Sequence, residues 1–438
     1  MNRKHLICCI LLIFWLLTGA LSGIALATGS SYPLWVGAVQ VTDANKDDLT
    51  QAINAIMPNV ASGTATYDPT TNTLLLNDFT YTGEGVFFAE KVSGVSSTAV
   101  IYSELETLRI TVVNTNLLSH TGTTAQYSYG IYTTGNLNIT AESTGELTVD
   151  DSSSSGVWPE RSIGVNLYKG ELSVSGGSLS AVADEAEYLS TGVWCFNGNV
   201  TVNEKGTLIG IGGDSAISRG LCVSDMLVIR GGVVKGVAGK AQSDAGISQG
   251  VSTGSLASTS DDSQLIGKAD SAKESVGIYL WNSSTFAKGH IVGIAGESMT
   301  ENSYGICLSD NDTFTIGGGK GAVTASGNTA AFYQPPVMDA NIGAAKAWYG
   351  ANETVAEASG EKSADDVAAY YTEQYVRIVF EAAPATDTDS QIPAIQTSFP
   401  ATPPLTVDHS QTALWSVLTT TSVVGIVLFC WLERKQKR

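Results

Sequence analysis

Apolar and polar positions alternate with a period of two along most of the chain, in short runs broken by Gly, Ser, Asn and Asp. That pattern predicts short strands, each with one buried face, joined by tight turns. The runs also recur in a fixed order. A Ser, a variable residue and a Gly precede an aliphatic residue at Gly130, Gly164, Gly192, Gly220, Gly250, Gly277 and Gly305, at intervals of 34, 28, 28, 30, 27 and 28 residues. The residue after each Gly is Ile131, Val165, Val193, Leu221, Val251, Ile278 or Ile306, and two further on stand Thr133, Leu167, Cys195, Val223, Thr253, Leu280 and Leu308. A second run ("NLNIT", "ELSVS", "NVTVN", "TFTIG") and a third ("ELTVD", "SLSAV", "TLIGI") follow within the unit. Weaker copies at "STAVIY" (97–102) and "NTAAFY" (328–333) extend the array at both ends.

A three-strand unit of about 28 residues cannot bury its apolar face alone, but stacking each strand on its equivalent in the next unit closes a continuous interior. The repeat therefore predicts an all-β parallel β-helix over residues 86–335. A β-sandwich also has short strands and turns, but nothing in it maintains one run order at this interval. The repeat Gly is expected at the corner before the first strand, and the Ser is expected to bond its own turn. Open coil ends need covers. "DANKDDLTQAINAIM" (43–57) reads as a helix and "ATYDPTTNTLLLNDFTY" as two strands with a turn, within an N-terminal cap of residues 28–85. "SADDVAAYYTEQYVRIVFEA" (363–382) reads as one short helix and one strand within a C-terminal cap of residues 336–382.

The chain ends carry other signals. Arg3 and Lys4, an apolar run from Leu6 to Leu17 and the exit Ala25-Leu26-Ala27 read as a signal peptide over residues 1–27. Residues 413–432 hold no charge and are long enough for a transmembrane helix. The basic tail 433–438 places the C-terminus on the cytoplasmic side. Residues 383–412, rich in Pro and Thr, read as a flexible linker. Removing two basic residues at the start, and four basic residues and Glu433 in the tail, from totals of 23 basic and 42 acidic leaves 17 against 41, a net charge near −24. Such a surface repels nucleic acid and anionic lipid.

The tail "PPLTVDHSQTALW" resembles the C-terminal sorting signal of Gram-positive surface proteins. Pro404 and Thr406 match its Leu-Pro-x-Thr-Gly pentapeptide, and Pro403 and Val407 replace the Leu and the Gly. Because that family is cut between Thr and Gly, the departure favours membrane retention over wall attachment. The stretch "YPLWVGAVQVTDANKDDL" with "TYDPTTNTLLLND" resembles a module of secreted, repeat-containing Gram-positive surface proteins of the carbohydrate-binding-domain-containing or pectin-lyase-like type. The resemblance covers residues 32–335 and implies a right-handed β-helix at the cell surface with affinity for polysaccharide.

Cys195 is expected inside, Cys222 and Cys307 on the outer face, three coils apart and too distant for a disulfide. No Cys/His metal spacing occurs. Asp310 and Asp312 in an "SDND" turn are candidates for Ca²⁺, against plain surface. Polygalacturonases resemble one another in motifs of which only Asp261-Asp262 and Gly289-His290 remain here, and the Asp pairs in "TSDDSQL" and "TVDDSSS" read as solvated turns. For a lyase, Arg230 and Lys235 are the only tempting bases. The stronger constellation is aromatic. Positions two and four after Gly point outward and hold Tyr132, Tyr168, Trp194, Phe196, Tyr279 and Trp281. Rings on one flank at the coil interval suit stacking against the C–H faces of a glycan; rings that merely cover the sheet and each other account for the same pattern. A protein-binding adhesin or stalk is the rival reading, and a uronate lyase or hydrolase a further one.

Overall fold

The computed structural model describes residues 29–90, 94–121, 125–151, 158–242 and 246–383. The expected signal peptide, transmembrane segment and basic tail lie outside these residues, as does nearly all of the linker. Among the described residues no helix is long and apolar enough to cross a membrane.

The repeat forms a parallel β-solenoid of the right-handed type, with about eight turns of about 29 residues. In its first sheet, eight successive parallel pairings join nine strands, from Ser96–Ser103 through Tyr127–Thr133, Arg161–Leu167 and Leu189–Cys195 to Ala330–Phe332. The two weaker copies are thus the terminal strands of this sheet. A second sheet starts at Thr107–Val113 and Asn136–Ile139, and a third at Thr115–His120 and Glu146–Asp151. Leu137, Leu172 and Val200 of the second sheet, Leu147, Leu179 and Leu208 of the third, and Ile131, Val165 and Val193 of the first fill the interior in stacked rows. Each such side chain taken from water contributes about 1.5–3 kcal/mol.

The repeat glycines differ from expectation. Gly130 lies in mid-strand, within Tyr127–Thr133, and none of the seven has a positive φ. What they provide is close approach. A Cβ on Gly192 would lie 2.1 Å from the Ile211 nitrogen of the third strand in the same coil, and one on Gly220 would lie 2.1 Å from that of Val237. From the second repeat onward the facing positions of the third sheet are themselves small, Ala181, Gly210, Gly236, Gly267, Gly293 and Ala325, whereas Gly130 makes room for the Val149 side chain. Two glycine rows thus press the first and third sheets together, backbone on backbone. The two-residue alternation also changes phase here, since Tyr127 and Tyr129 face outward while Ile131 sits in the interior.

The repeat serines differ too. Ser190, Ser248, Ser275 and Ser303 are fully buried, and each clips two successive loops. Ser190 Oγ donates to the Asp184 carbonyl at 2.7 Å and accepts from the Gly213 N–H at 2.7 Å. Ser248 does the same with Gly239 and Asp270, Ser275 with Asp270 and Gly296, and Ser303 with Gly296 and Asn328.

Both ends are covered. Strands Ser31–Val36 and Val86–Ala89 run antiparallel along the open edge of Ser96–Ser103. Thr73–Gly83 edges the second and third sheets together and pairs with Ala61–Asp68. The expected helix is Leu49–Ile56, capped by the Asp48 carboxylate accepting from the Gln51 N–H, with Leu49 and Ile53 in the core. At the other end Tyr375–Ala382 pairs antiparallel with Gly321–Ser326, preceded by a 3₁₀ turn at Ala364–Ala369. A further strand, Ile342–Gly350, and a helix, Glu353–Ser359, complete that cover.

Candidate functional site

The register of the first sheet places the outward residues in columns. Two positions beyond the repeat Gly, successive coils carry Tyr102, Tyr132, Asn166, Trp194, Cys222, Ser252, Tyr279 and Cys307. Tyr132, Trp194 and Tyr279 therefore share one face, ring contacts join Tyr168 and Phe196 to Trp194, and Trp281 follows the strand end at Leu280. The six candidate rings form two groups: Tyr132, Tyr168, Trp194 and Phe196 on adjacent coils, and Tyr279 with Trp281 beyond a gap at Cys222 and Ser252.

In the first group, Tyr132 is a brace. It is only 6% exposed, because Phe88 from the edge strand lies over it at 5.1 Å between ring centroids and Tyr102 and Tyr129 pack at 5.8 and 5.0 Å. This corrects its expected role as an exposed stacking ring, since its neighbours bury it. Burial, aided by the Glu90 charge, holds its phenol above the ordinary range. Beside it Tyr168 stacks on Phe196 at 6.0 Å and 17°, and Trp194 meets Phe196 edge-on at 5.6 Å and 83°. Phe196 is 43% exposed, with Tyr168 and Trp194 half-buried. A cavity of about 300 Å³ opens next to this ledge, lined by Phe88, Tyr102, Tyr132, Tyr168 and Lys169.

The other candidates separate. Arg230 lies on the second sheet and Lys235 on the third, both exposed, so they share no groove. Asp312 Oδ1 accepts from the Ser283 N–H and hydroxyl at 2.8 and 2.9 Å, whereas Asp310 accepts from the Tyr333 hydroxyl. The two carboxylates thus serve different partners. Among the described residues no cluster of three His, Cys, Asp or Glu side chains could hold a metal ion. Cys195, Cys222 and Cys307 are free and buried, and burial first of all pushes the Cys195 and Cys307 thiols up to about 12. Arg219 reaches the Cys222 sulfur at 3.8 Å.

Asp151 overturns the expectation of a solvated turn. It ends the strand Glu146–Asp151, sealed from solvent, with Oδ1 2.9 Å from His120 Nδ1 and accepting from Ser128 Oγ at 2.5 Å. Its other oxygen accepts from Ser162 at 2.6 Å. His120 Nε2 faces the Glu84 carbonyl at 2.8 Å, so both ring nitrogens meet acceptors and the imidazolium form fits. Burial opposes that charge, but the bond to Asp151 and its charge outweigh it and raise the His120 pKa. A Ser-His-Asp relay needs Ser and Asp on opposite ring nitrogens and an open Ser. Here both meet Nδ1 in a closed interior, and the triad is structural.

The features the sequence reading missed are the second glycine row, the serine clips, Phe88 over Tyr132, and a second aromatic group built on Tyr304 and Tyr333. Their signals were present as the Gly in "TLIGI" and "HIVGI" and the Tyr just before Gly305. No protein-family model, curated protein or solved structure matches this chain.

Proposed function

We propose that this protein is an exported, membrane-tethered β-solenoid of the cell surface that binds polysaccharide on the outer face of its first sheet. The observation that carries this reading is the ledge of Tyr168, Trp194 and Phe196. These rings sit on two adjacent coils and are partly open to solvent, and Tyr168 borders a cavity. Aromatic planes stack on the apolar faces of sugar rings, and the coil rise of about 4.8 Å is close to the length of one pyranose. The acidic exterior suits a neutral glycan better than an anionic one. Export and anchoring follow from the terminal segments of the sequence.

The test is an immobilised polysaccharide array probed with residues 28–382. Phe196→Ala and Trp194→Ala should each reduce retention by about twofold to tenfold, the scale of a lost aromatic contact of about 0.5–1.5 kcal/mol, with an unchanged circular dichroism spectrum. Retention that both variants leave intact would remove the ledge from the account and favour a protein-binding stalk.

A further inference from the structure

A second cavity, of about 470 Å³, opens on the same sheet near the C-terminal end, away from the ledge. In the column two residues beyond the repeat glycine, Tyr279 pairs with Cys307, and Tyr333 continues the row one residue past the Ile306–Phe332 pairing. The small Cys307 side chain leaves a gap between two phenols. At one strand spacing per coil the tyrosines stand roughly 10 Å apart. Tyr304 of the middle coil closes another side, edge-on to Tyr333 at 5.2 Å and 74°. Glu274 and Asp310 line the same space, Asp310 accepting from the Tyr333 hydroxyl at 3.4 Å, and no Lys or Arg is among the lining residues.

With the Tyr279 and Tyr333 backbones two strand spacings apart and both side chains lining the cavity, a group seated over Cys307 lies between the two rings, and aromatic faces attract a cation within about 6 Å. The carboxylates add to that attraction. Both would repel a uronate and would contribute little to a neutral sugar. The local potential is visible in the groups it acts on: after burial, Glu274 and Asp310 raise the Cys307 thiol, and Asp310 first of all raises the Tyr333 phenol. A primary ammonium keeps a tight hydration shell and needs several hydrogen-bond acceptors, whereas an alkylated one sheds water readily and presents methyl groups to the rings. We propose that this cavity binds an organic cation carrying a quaternary or alkylated ammonium group. Elsewhere in the column the same spacing recurs at Tyr132, Asn166 and Trp194, but there Tyr132 is buried under Phe88; Trp194 and Tyr279 are separated by two coils, one of them covered by Arg219.

The inference is independent of polysaccharide binding at the ledge, and calorimetry on the purified full chain tests it. Choline should bind at least about tenfold more tightly than its uncharged isostere with carbon in place of nitrogen, since a desolvated cation–π contact is worth about 2 kcal/mol. Tyr304→Leu and Cys307→Met, the second filling the gap, should each weaken choline about tenfold, and Glu274→Gln severalfold. Phe196→Ala should leave it unchanged. Retention on a choline-derivatised resin would identify a polymer- or lipid-borne headgroup as the ligand, and binding of free choline alone a small solute. Equal affinity for choline and the isostere, no choline binding, or full affinity in both Tyr304→Leu and Cys307→Met would overturn the proposal.

Discussion

The glycines of the Ser-x-Gly repeat are selected by distance. At Gly220 the nearest atoms to a new Cβ are main-chain atoms, Val237 N at 2.1 Å and Gly236 C at 2.5 Å, so no side-chain rotation relieves the clash. Gly220→Ala should cost on the order of 1–3 kcal/mol, the range for overpacking a core. Denaturant unfolding reads this directly, and a wild-type midpoint would contradict the close approach. The His120–Asp151 pair makes a prediction with a definite sign. Because the folded pKa of His120 lies above its ordinary 6.5, the stability it contributes is complete below about 6.5 and is lost as pH rises through the raised value. The unfolding temperature should therefore fall across that window on the alkaline side of 6.5, and His120→Gln should flatten the profile. An unaltered slope in the variant would assign the pH dependence to other groups.

Among the elements, the terminal covers have the clearest task. Ser31–Val36 and Val86–Ala89 occupy the backbone donors and acceptors of Ser96–Ser103, the outermost parallel strand of its sheet. A bare strand edge over an apolar interior templates association. Deleting residues 31–42 should shift the protein towards higher oligomers or aggregates on size-exclusion chromatography with multi-angle scattering; a truncated protein that elutes as the parent does would show the edge to be protected by other means. The N-terminal helix and hairpin were legible because "DDLTQAINAI" has a capping Asp and helical spacing, and "TYDPTTNTLLL" alternates around a turn. Ile342–Gly350 and Glu353–Ser359 were not, since "IGAAKAWYG" is dominated by small residues without alternation and "ETVAEAS" is too short for a period to emerge.

At the scale of the molecule, the coil was readable because parallel stacking in register demands the same residue class at the same place in every turn, and the recurring Gly-aliphatic step reports that demand. Outward columns were readable after Gly for the same reason, which put Tyr168, Trp194, Phe196 and Tyr279 on one face. What covers them was not. Phe88 reaches Tyr132 from an antiparallel edge strand 44 positions earlier, and Tyr333 closes on Tyr304 from the next coil. The buried Asp151 escaped because a Ser-rich neighbourhood suggests solvent, and its His120 partner stands 31 positions away on the preceding coil. The serine clips carry one further implication. Each hydroxyl grips its loops beside the end of the third strand, at Asp184, Gly213, Gly239, Asp270 or Gly296, and bonds such as Ala186 N–H to the Asp214 carbonyl and Ser215 N–H to the Lys240 carbonyl tie successive crossovers further along. Coil length varies all the same, as glycine spacings from 27 to 34 attest. Such crossovers are natural insertion points, where peptides could be grafted turn by turn at one corner of the rod.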